Sequence, residues 1–525
     1  MSSVFVKVVQ MVAPRDTLRG RLARQAAAGI GVLRDAAAIA HVKYVREVEP
    51  GLFVSPCAWT PRPGRPLVSV VVPCFNTPDR YLLSMVDSVV NQTFGDWQLL
   101  LLDASDDPAR SDAVARCAQA DPRIEYVRLE ANGGISANTN AAVPRATGDY
   151  VAFLDHDDSL CPHALNEVAA RLIADPTLDV LYSDEDVLTD DGRTRKAPFF
   201  KPAWSPHMFY EVNYTNHLSV IRRSLLDEAG WLRPSADGAQ DYDLLLRLQS
   251  RATPARVGHI PKFLYHWREA VTSTARSMST KSYALDAGRT ALTDHLARLG
   301  VECAGVDDLP DRPGWYRVRP RWRTAVAVLV AVSDDEAINQ TFAERLRERT
   351  DCAGLSPVFV ACRPDAVAAA VDASAAGAVA VIRQPFLPDD PTWLDDLVGV
   401  LALPDTTVVA PLLTARGRVV SAGIVGASAG AASSLYAGVR AHLGGLAGPA
   451  DFVRDVDALD AAVVVARPDG VDWRQDHVVV PAQGYAVVWG HQAFRYAGAR
   501  PGDGFVNANL EVVGRPRLSA RGVRR

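Results

Sequence analysis

Three carboxylates fall within four residues at Asp155-His156-Asp157-Asp158. Like charges this close repel, so an unpaired cluster is costly to ionise. A bound divalent cation removes that cost. Magnesium and manganese favour carboxylate and phosphate oxygens together. The plain alternative is a solvated acidic turn. Against it, the apolar run Tyr150–Leu154 leads straight into the cluster, as a strand does into its exit loop. Three more polar clusters have this setting. Pro73-Cys-Phe-Asn76 follows Leu67–Val72, and Asp103-Ala-Ser-Asp-Asp107 follows Trp97–Leu102. Asn132-Gly-Gly134 comes soon after Ile124–Arg128.

A parallel sheet is the element that can aim four such clusters at one edge. Helix patterns at Arg80–Val90, Ala109–Ala120 and Ile135–Ala146 separate the four strand runs. Short apolar strands alternating with helices predict an α/β fold, Rossmann-like, with a mostly parallel sheet covered by helices on both faces. Ligands bind such open sheets beyond the carboxyl ends of the strands.

Composition limits the alternatives. The chain has 525 residues, 48% of them hydrophobic, enough for more than one core. A net charge of −5 argues against a general nucleic-acid binder. Seven scattered cysteines without a Cys-x-x-Cys pair read as reduced thiols, neither a disulfide frame nor a zinc site. No apolar run reaches the ~18 residues of a membrane span, and the N-terminus lacks the pattern of a signal peptide. The expected location is cytoplasmic. Residues 1–66 are basic and helical and end in the Pro-rich linker Thr60–Pro66. Two readings of them stay open. One is a peripheral contact of residues 1–50 with anionic lipid on the inner face of the cell membrane; the other is a solvated helix packed on the next domain.

The run Val68-Ser-Val-Val-Val-Pro-Cys-Phe-Asn76, the run Asn132-Gly-Gly-Ile-Ser-Ala-Asn-Thr-Asn140 and Phe153-Leu-Asp-His-Asp-Asp158 resemble family 2 glycosyltransferases of the GT-A fold. Tyr182-Ser-Asp-Glu-Asp186, Gln240-Asp-Tyr-Asp243 and Tyr265-His-Trp-Arg268 extend the likeness from Leu67 to Arg276. The combination is similar to the bacterial subgroup of O-antigen and surface-polysaccharide assembly.

The resemblance implies a nucleotide-sugar donor, a glycan or lipid-linked saccharide acceptor, and a divalent metal, manganese or magnesium. It implies that Pro73 and Phe75 line the base pocket and that Asp103 accepts a hydrogen bond from the base. Leu102 departs from the family at that strand end and leaves the base open. Asn76, Asn132 and Gly133 would belong to the donor site. Asp155 would face ribose and metal, and Asp157 would be the main metal ligand. His266 would be a further ligand, or else a core histidine. Asp241 would be the catalytic base of an inverting transfer. It opens a helix pattern, where the dipole favours its ionised form, and an ordinary helix cap is the other reading. Asp158, Asp184, Asp186, His217 and Asp243 are candidates for donor or acceptor contact, and a solvated loop is the alternative for Asp184 and Asp186.

Other classes fit less well. There is no Gly-rich dinucleotide fingerprint and no phosphate loop. Gly426-Ala-Ser-Ala-Gly430 matches a serine-hydrolase elbow, but in an Ala/Gly/Ser-rich stretch where chance matches come easily. A catalytically silent sugar-binding scaffold and a bifunctional two-domain transferase remain as alternatives.

Strand-like runs resume at Ala325–Val332, Pro357–Ala361 and Ala378–Ile382. Phe386-Leu-Pro-Asp-Asp390 then echoes Phe153–Asp158, with Asp389 and Asp390 as a reduced acidic pair. The expected order is a basic helical segment and linker (1–66), a catalytic GT-A domain (67–310), a degenerate GT-A-like domain (322–500) and a basic tail (501–525).

Overall fold

The computed structural model describes residues 41–52, 66–250, 256–270, 278–309, 312–352, 356–416 and most of 418–496. The chain divides into two compact units, 1–299 with 306–317, and 300–305 with 318–525.

The first unit is built on β1 (Val68–Cys74), β2 (Trp97–Asp103), β3 (Ile124–Arg128) and β4 (Tyr150–Phe153). They lie in the order β3-β2-β1-β4, all parallel. The runs Val70-Val-Val72 and Leu99-Leu-Leu-Leu102 are fully buried. Continuous apolar strands need cover on both faces, and helices supply it. Among them are α1 (Asp79–Val90), α2 (Pro108–Cys117), α3 (Ile135–Asn140) and α4 (Ala164–Ala174). On α1, Leu82, Met85, Val86 and Val89 follow the 3.6-residue period and are buried against the sheet.

Beyond β4 the sheet becomes mixed. It continues through β5 (Ser159–Leu160), β6 (Val180–Leu188), β7 (Arg195–Phe199), β8 (Ser219–Arg222) and β9 (Val257–Arg268). The order is β4-β8-β6-β9-β5, with β7 beside β6. β8 is antiparallel to both β4 and β6, and β9 is parallel to β6. Between β8 and β9 lie the α-helices α5 (Arg223–Ala229) and α6 (Gln240–Gln249). A long helix, α7 (Met278–Arg298), follows β9.

One expectation needs correction, and one open reading can be compared with the fold. Helix α3 is shorter than Ile135–Ala146, ending at Asn140. Pro144 lacks an N–H and disfavours helix at Val143. The helix's polar side chains also serve the fold: Asn138 bonds Asn132, and Asn140 bonds the Leu232 carbonyl. Of the two readings of the N-terminal segment, its described part, residues 41–52, fits packing on the next domain. His41 and Glu49 are buried and bonded to Asp186 and Arg195 of the first unit. Residues 1–40, most of the linker, Gly426–Gly430 and the tail 501–525 lie outside the described residues.

The second unit has β10 (Val326–Val330), β11 (Val358–Phe359), β12 (Ala378–Ile382) and β13 (Phe386–Pro388). It continues with β14 (Thr406–Ala415), β15 (Arg418–Ser421), β16 (Val463–Ala466) and β17 (Tyr485–Tyr496). The sheet order is β11-β10-β12-β16-β14-β17-β13, with β15 beside β14. Chain order, neighbours and pairing sense all repeat those of β2-β1-β4-β8-β6-β9-β5 with β7. Helices α8 (Glu336–Arg347), α9 (Pro364–Asp372) and α10 (Trp393–Val400) stand where α1, α2 and α4 stand. The second unit is the same α/β fold without an equivalent of β3 among its described residues.

This topology corrects the alignment of the second acidic pair. By its antiparallel pairing, Phe386–Pro388 corresponds to β5 and not to the exit of β4. The position of Asp155–Asp158 falls on Arg383-Gln384-Pro385. Asp389 instead meets Arg495 at 3.2 Å, and Asp390 accepts from the Thr392 N–H at 2.9 Å.

Candidate active site

A cavity of about 900 Å³ opens at the carboxyl edge of the first unit's sheet. Pro73, Phe75 and Asn76 from the exit of β1 line it, as do Asn132 and Gly134. Asp155 and Asp157 from the exit of β4, Asn216 and His217 before β8, and Asp241 on α6 complete the polar wall. The side chain of Phe75 is 38% exposed, an aromatic face left open at the cavity. Asn76 holds a positive φ of 48°, a region asparagine tolerates, and its side chain is tied to Asp106 and the Asp107 N–H. Gly134 holds φ 91°, a backbone conformation that residues with a Cβ rarely adopt, and a Cβ there would also displace the carboxylate of Asp237. Gly133 donates its N–H to Asn138 Oδ1 at 3.0 Å and so backs the loop without lining the cavity.

The acidic loop is held from behind by one of its own members. Asp158 is fully buried. Its Oδ1 accepts from the Arg268 N–H at 2.6 Å, and its Oδ2 accepts from the Tyr265 hydroxyl at 2.5 Å. Arg268 Nε donates to the Asp157 carbonyl at 2.7 Å. Asp158 is thus an anchor, and Asp155 and Asp157 are what it leaves facing the cavity. Burial, with the neighbouring Asp155, raises the Asp157 carboxyl above its usual range. Two carboxylates lacking full compensation at a cavity wall fit a divalent cation.

Asp241 lies in the first turn of α6. Its Oδ1 accepts from the Tyr242 N–H at 2.8 Å, and the Asn216 amide donates to Oδ2. Burial raises this carboxyl, partly offset by that backbone bond. Asn216 and Asp241 are remote in sequence, so only the fold brings them together.

His217 stacks on Tyr265 with ring centroids 4.6 Å apart. Its Nδ1 lies 3.0 Å from Glu185 Oε2, and its Nε2 lies 3.9 Å from Asp155 Oδ2. Burial opposes a charge on this ring, but Glu185 outweighs it and pushes the imidazole up to about 9. Lys201, itself buried, donates to the His217 carbonyl at 2.6 Å and lies 3.7 Å from Glu185.

Several expected residues are placed elsewhere. His266 does not line the cavity; its Nδ1 meets Asp186 Oδ1 at 2.7 Å in a buried cluster. Asp186 is also held by His41 and Arg195. Asp184 is buried against His259 and the Lys201 N–H. Glu185, between them on β6, reaches His217 and Lys201 and does not itself line the cavity. Asp243 is fully buried between Arg233 and Arg247 and packs the helix. Asp103 is fully buried too, with Ser105, Ser111, Tyr126 and Arg128 bonded to its carboxylate. Burial alone would raise that carboxyl, but these bonds lower it, and no oxygen is presented to the cavity.

An acidic exit loop, an aromatic side chain and a carboxylate from α6 thus line one cavity at the sheet edge where open α/β folds bind their ligands. Residues 69–230 match the family described as Glycosyl transferase family 2, so the chain carries a domain of that family. The chain is 43% identical over 234 residues to the uncharacterized protein y4gI of Sinorhizobium fredii, covering 44% of this chain and 26% of that protein. It is 34% identical over 394 residues to the O-antigen biosynthesis protein RfbC of Myxococcus xanthus, covering 69% of this chain and 30% of that protein. That match is longer than the first unit and so runs into the second. An uncharacterized glycosyltransferase of Methanocaldococcus jannaschii is 30% identical over 189 residues, 35% of this chain and 64% of that protein. The chain thus spans about a quarter to a third of the first two relatives. Among the described residues no helix is long and apolar enough to cross a membrane.

Proposed function

We propose that the first unit is an inverting glycosyltransferase. It moves a sugar from a nucleotide-sugar donor to a hydroxyl of a growing cell-surface glycan or a lipid-linked saccharide. The reading rests on one observation: Asp155, Asp157 and Asp241, from two distant parts of the chain, line one cavity with the open face of Phe75. The name of the RfbC relative is the support for a surface polysaccharide as product.

Phe75 offers its ring to the nucleotide base, and Pro73 shapes the pocket beside it. A divalent cation, manganese or magnesium, held by Asp155 and Asp157 would stabilise the charge of the departing diphosphate. His217, held by Glu185, adds a positive group beside Asp155. Asp241 removes the proton of the acceptor hydroxyl as that oxygen bonds the anomeric carbon. The bond from that carbon to the diphosphate breaks on the opposite face, and the configuration inverts. The raised Asp241 carboxyl suits a base that works near neutral pH. We further propose that the second unit does not transfer, since Arg383-Gln384-Pro385 replaces the acidic loop.

Incubation with a panel of sugar nucleotides tests the reading. Slow donor hydrolysis that needs manganese or magnesium, and is lost in Asp157→Ala, is expected. Undiminished turnover in excess chelator and in that variant would remove the metal from the reaction.

A further inference from the structure

A second group of ligand-type side chains lies away from the cavity and uses the histidine that the cavity does not. We propose that Glu49, Cys161 and His266 form a buried transition-metal site of the chemistry zinc prefers, fastening the segment around Glu49 to the first unit. Their ligating atoms all lie within 4.8 Å of one another, and all three residues are buried. They come from three separate places: the short turn Glu49–Leu52, the residue after β5, and β9. Thiolate, imidazole and carboxylate together select zinc over magnesium or manganese.

The surroundings are those of a metal-bound histidine. Asp186 can only accept a hydrogen bond, so His266 Nδ1, 2.7 Å away, carries the proton. That leaves the Nε2 lone pair for a cation, the arrangement in which a carboxylate orients a ligating histidine. Buried His163, with Nδ1 3.2 Å from Cys161 Sγ, flanks the group without belonging to it, so water would fill the fourth position. Tetrahedral zinc with ordinary bond lengths sets its ligand atoms roughly 3.5 Å apart. Cys161 Sγ and Glu49 Oε1, 3.1 Å apart, are already near that spacing, and no pair in the group is farther apart than 4.8 Å.

Charge also balances. Arg195 neutralises Asp186 at 2.7 Å and bonds Glu49 as well. Each carboxylate oxygen has two lone pairs, so Glu49 can hold Arg195 and a metal at once. Glu49 and an ionised Cys161 then match the two charges of the cation. Without a metal, burial and Glu49 keep the Cys161 thiol protonated, and it donates to Glu49. Metal binding therefore forms a sulfur–metal bond and releases that proton to solvent.

This site is independent of the transfer reaction, and its test uses the whole chain. Protein purified without chelator is assayed for zinc, and cobalt(II) is then substituted. About one zinc per chain and a near-ultraviolet thiolate-to-cobalt absorption band are expected. Cys161→Ser should lose both, while its hydroxyl keeps the hydrogen bond to Glu49 and so the fold. His266→Asn should lose the tetrahedral cobalt spectrum. Asp157→Ala should keep zinc and band alike, which separates this site from the cavity. A strong chelator should lower the Tm of the wild type and leave that of Cys161→Ser unmoved. No zinc and no cobalt band in the full chain, or a band that persists in Cys161→Ser, would overturn the proposal and leave a hydrogen-bonded cluster only.

Discussion

The two units share a sheet and differ in what leaves it. Strand order and pairing sense repeat from one to the other, and each unit encloses its own buried apolar cluster. The differences fall in two connections. After β4 the first unit has an acidic loop; after β12 the second has Arg383-Gln384-Pro385. Residues 223–256 join β8 to β9 and carry α5 and α6, with Asp241. Only residues 467–484 join β16 to β17, and the described ones hold no helix. Core strands persist because packing needs them, whereas chemistry sits in loops that can change without loss of the fold.

The largest effect should follow from removing the proposed base, Asp241, on α6 of the first unit. Asp241→Asn is expected to lower transfer turnover by roughly 100- to 10,000-fold, the usual contribution of a positioned general base. Donor affinity, measured by equilibrium titration, should stay near wild type. Near-wild-type turnover would shift the role to another group.

A smaller effect is expected from the anchor behind the acidic loop. Asp158→Ala leaves the Arg268 N–H and the Tyr265 hydroxyl without their buried acceptor, at a cost of about 1–3 kcal/mol. Thermal denaturation should show a lower Tm, and nucleotide binding should weaken because Asp155 and Asp157 lose their support. An unchanged Tm would mean that another acceptor holds the loop.

Much of this difference is written in the sequence, and some of it is not. The strands β1 to β4 are legible because each is a continuous apolar run between turn residues, and Asp155, Asp157 and Asp241 stand out by type and position. Partnerships across the fold are not legible. Nothing local says that Asn216 meets Asp241 or that Glu185 holds His217. Three acidic residues in a row on β6 look alike in one dimension, but in the fold Asp184 meets His259, Glu185 meets His217, and Asp186 meets His41 and His266. His266 and Trp267 are likewise adjacent on β9, and only Trp267 lines the cavity. The likeness of Phe386-Leu-Pro-Asp-Asp390 to Phe153–Asp158 misled for a different reason. Short apolar-then-acidic strings recur at any strand end, and only pairing with β17 shows which strand this is.

The smallest expected effect is a change in pH response. His217 is raised to about 9 in the fold, against ~6.5 when unfolded. Its pairing with Glu185 therefore adds stability that is full below ~6.5 and is lost as pH rises through about 9. Buried Lys201, lowered to about 8, acts in the opposite sense above that pH. Between pH ~6.5 and 8, Tm should fall in the wild type and stay flatter in His217→Gln. Equal slopes in the two proteins would contradict the pairing.

The central claim is that this chain has a nucleotide-sugar site in its first unit and none in its second. Calorimetric titration of the full chain with a panel of nucleoside diphosphates, in the presence of manganese, tests it most directly. The account predicts that the nucleotide that binds does so at about one equivalent per chain. Binding should be lost in Asp157→Ala and unchanged when Arg383 and Gln384 are both replaced by alanine. Two equivalents per chain, or undiminished binding in Asp157→Ala, would contradict it.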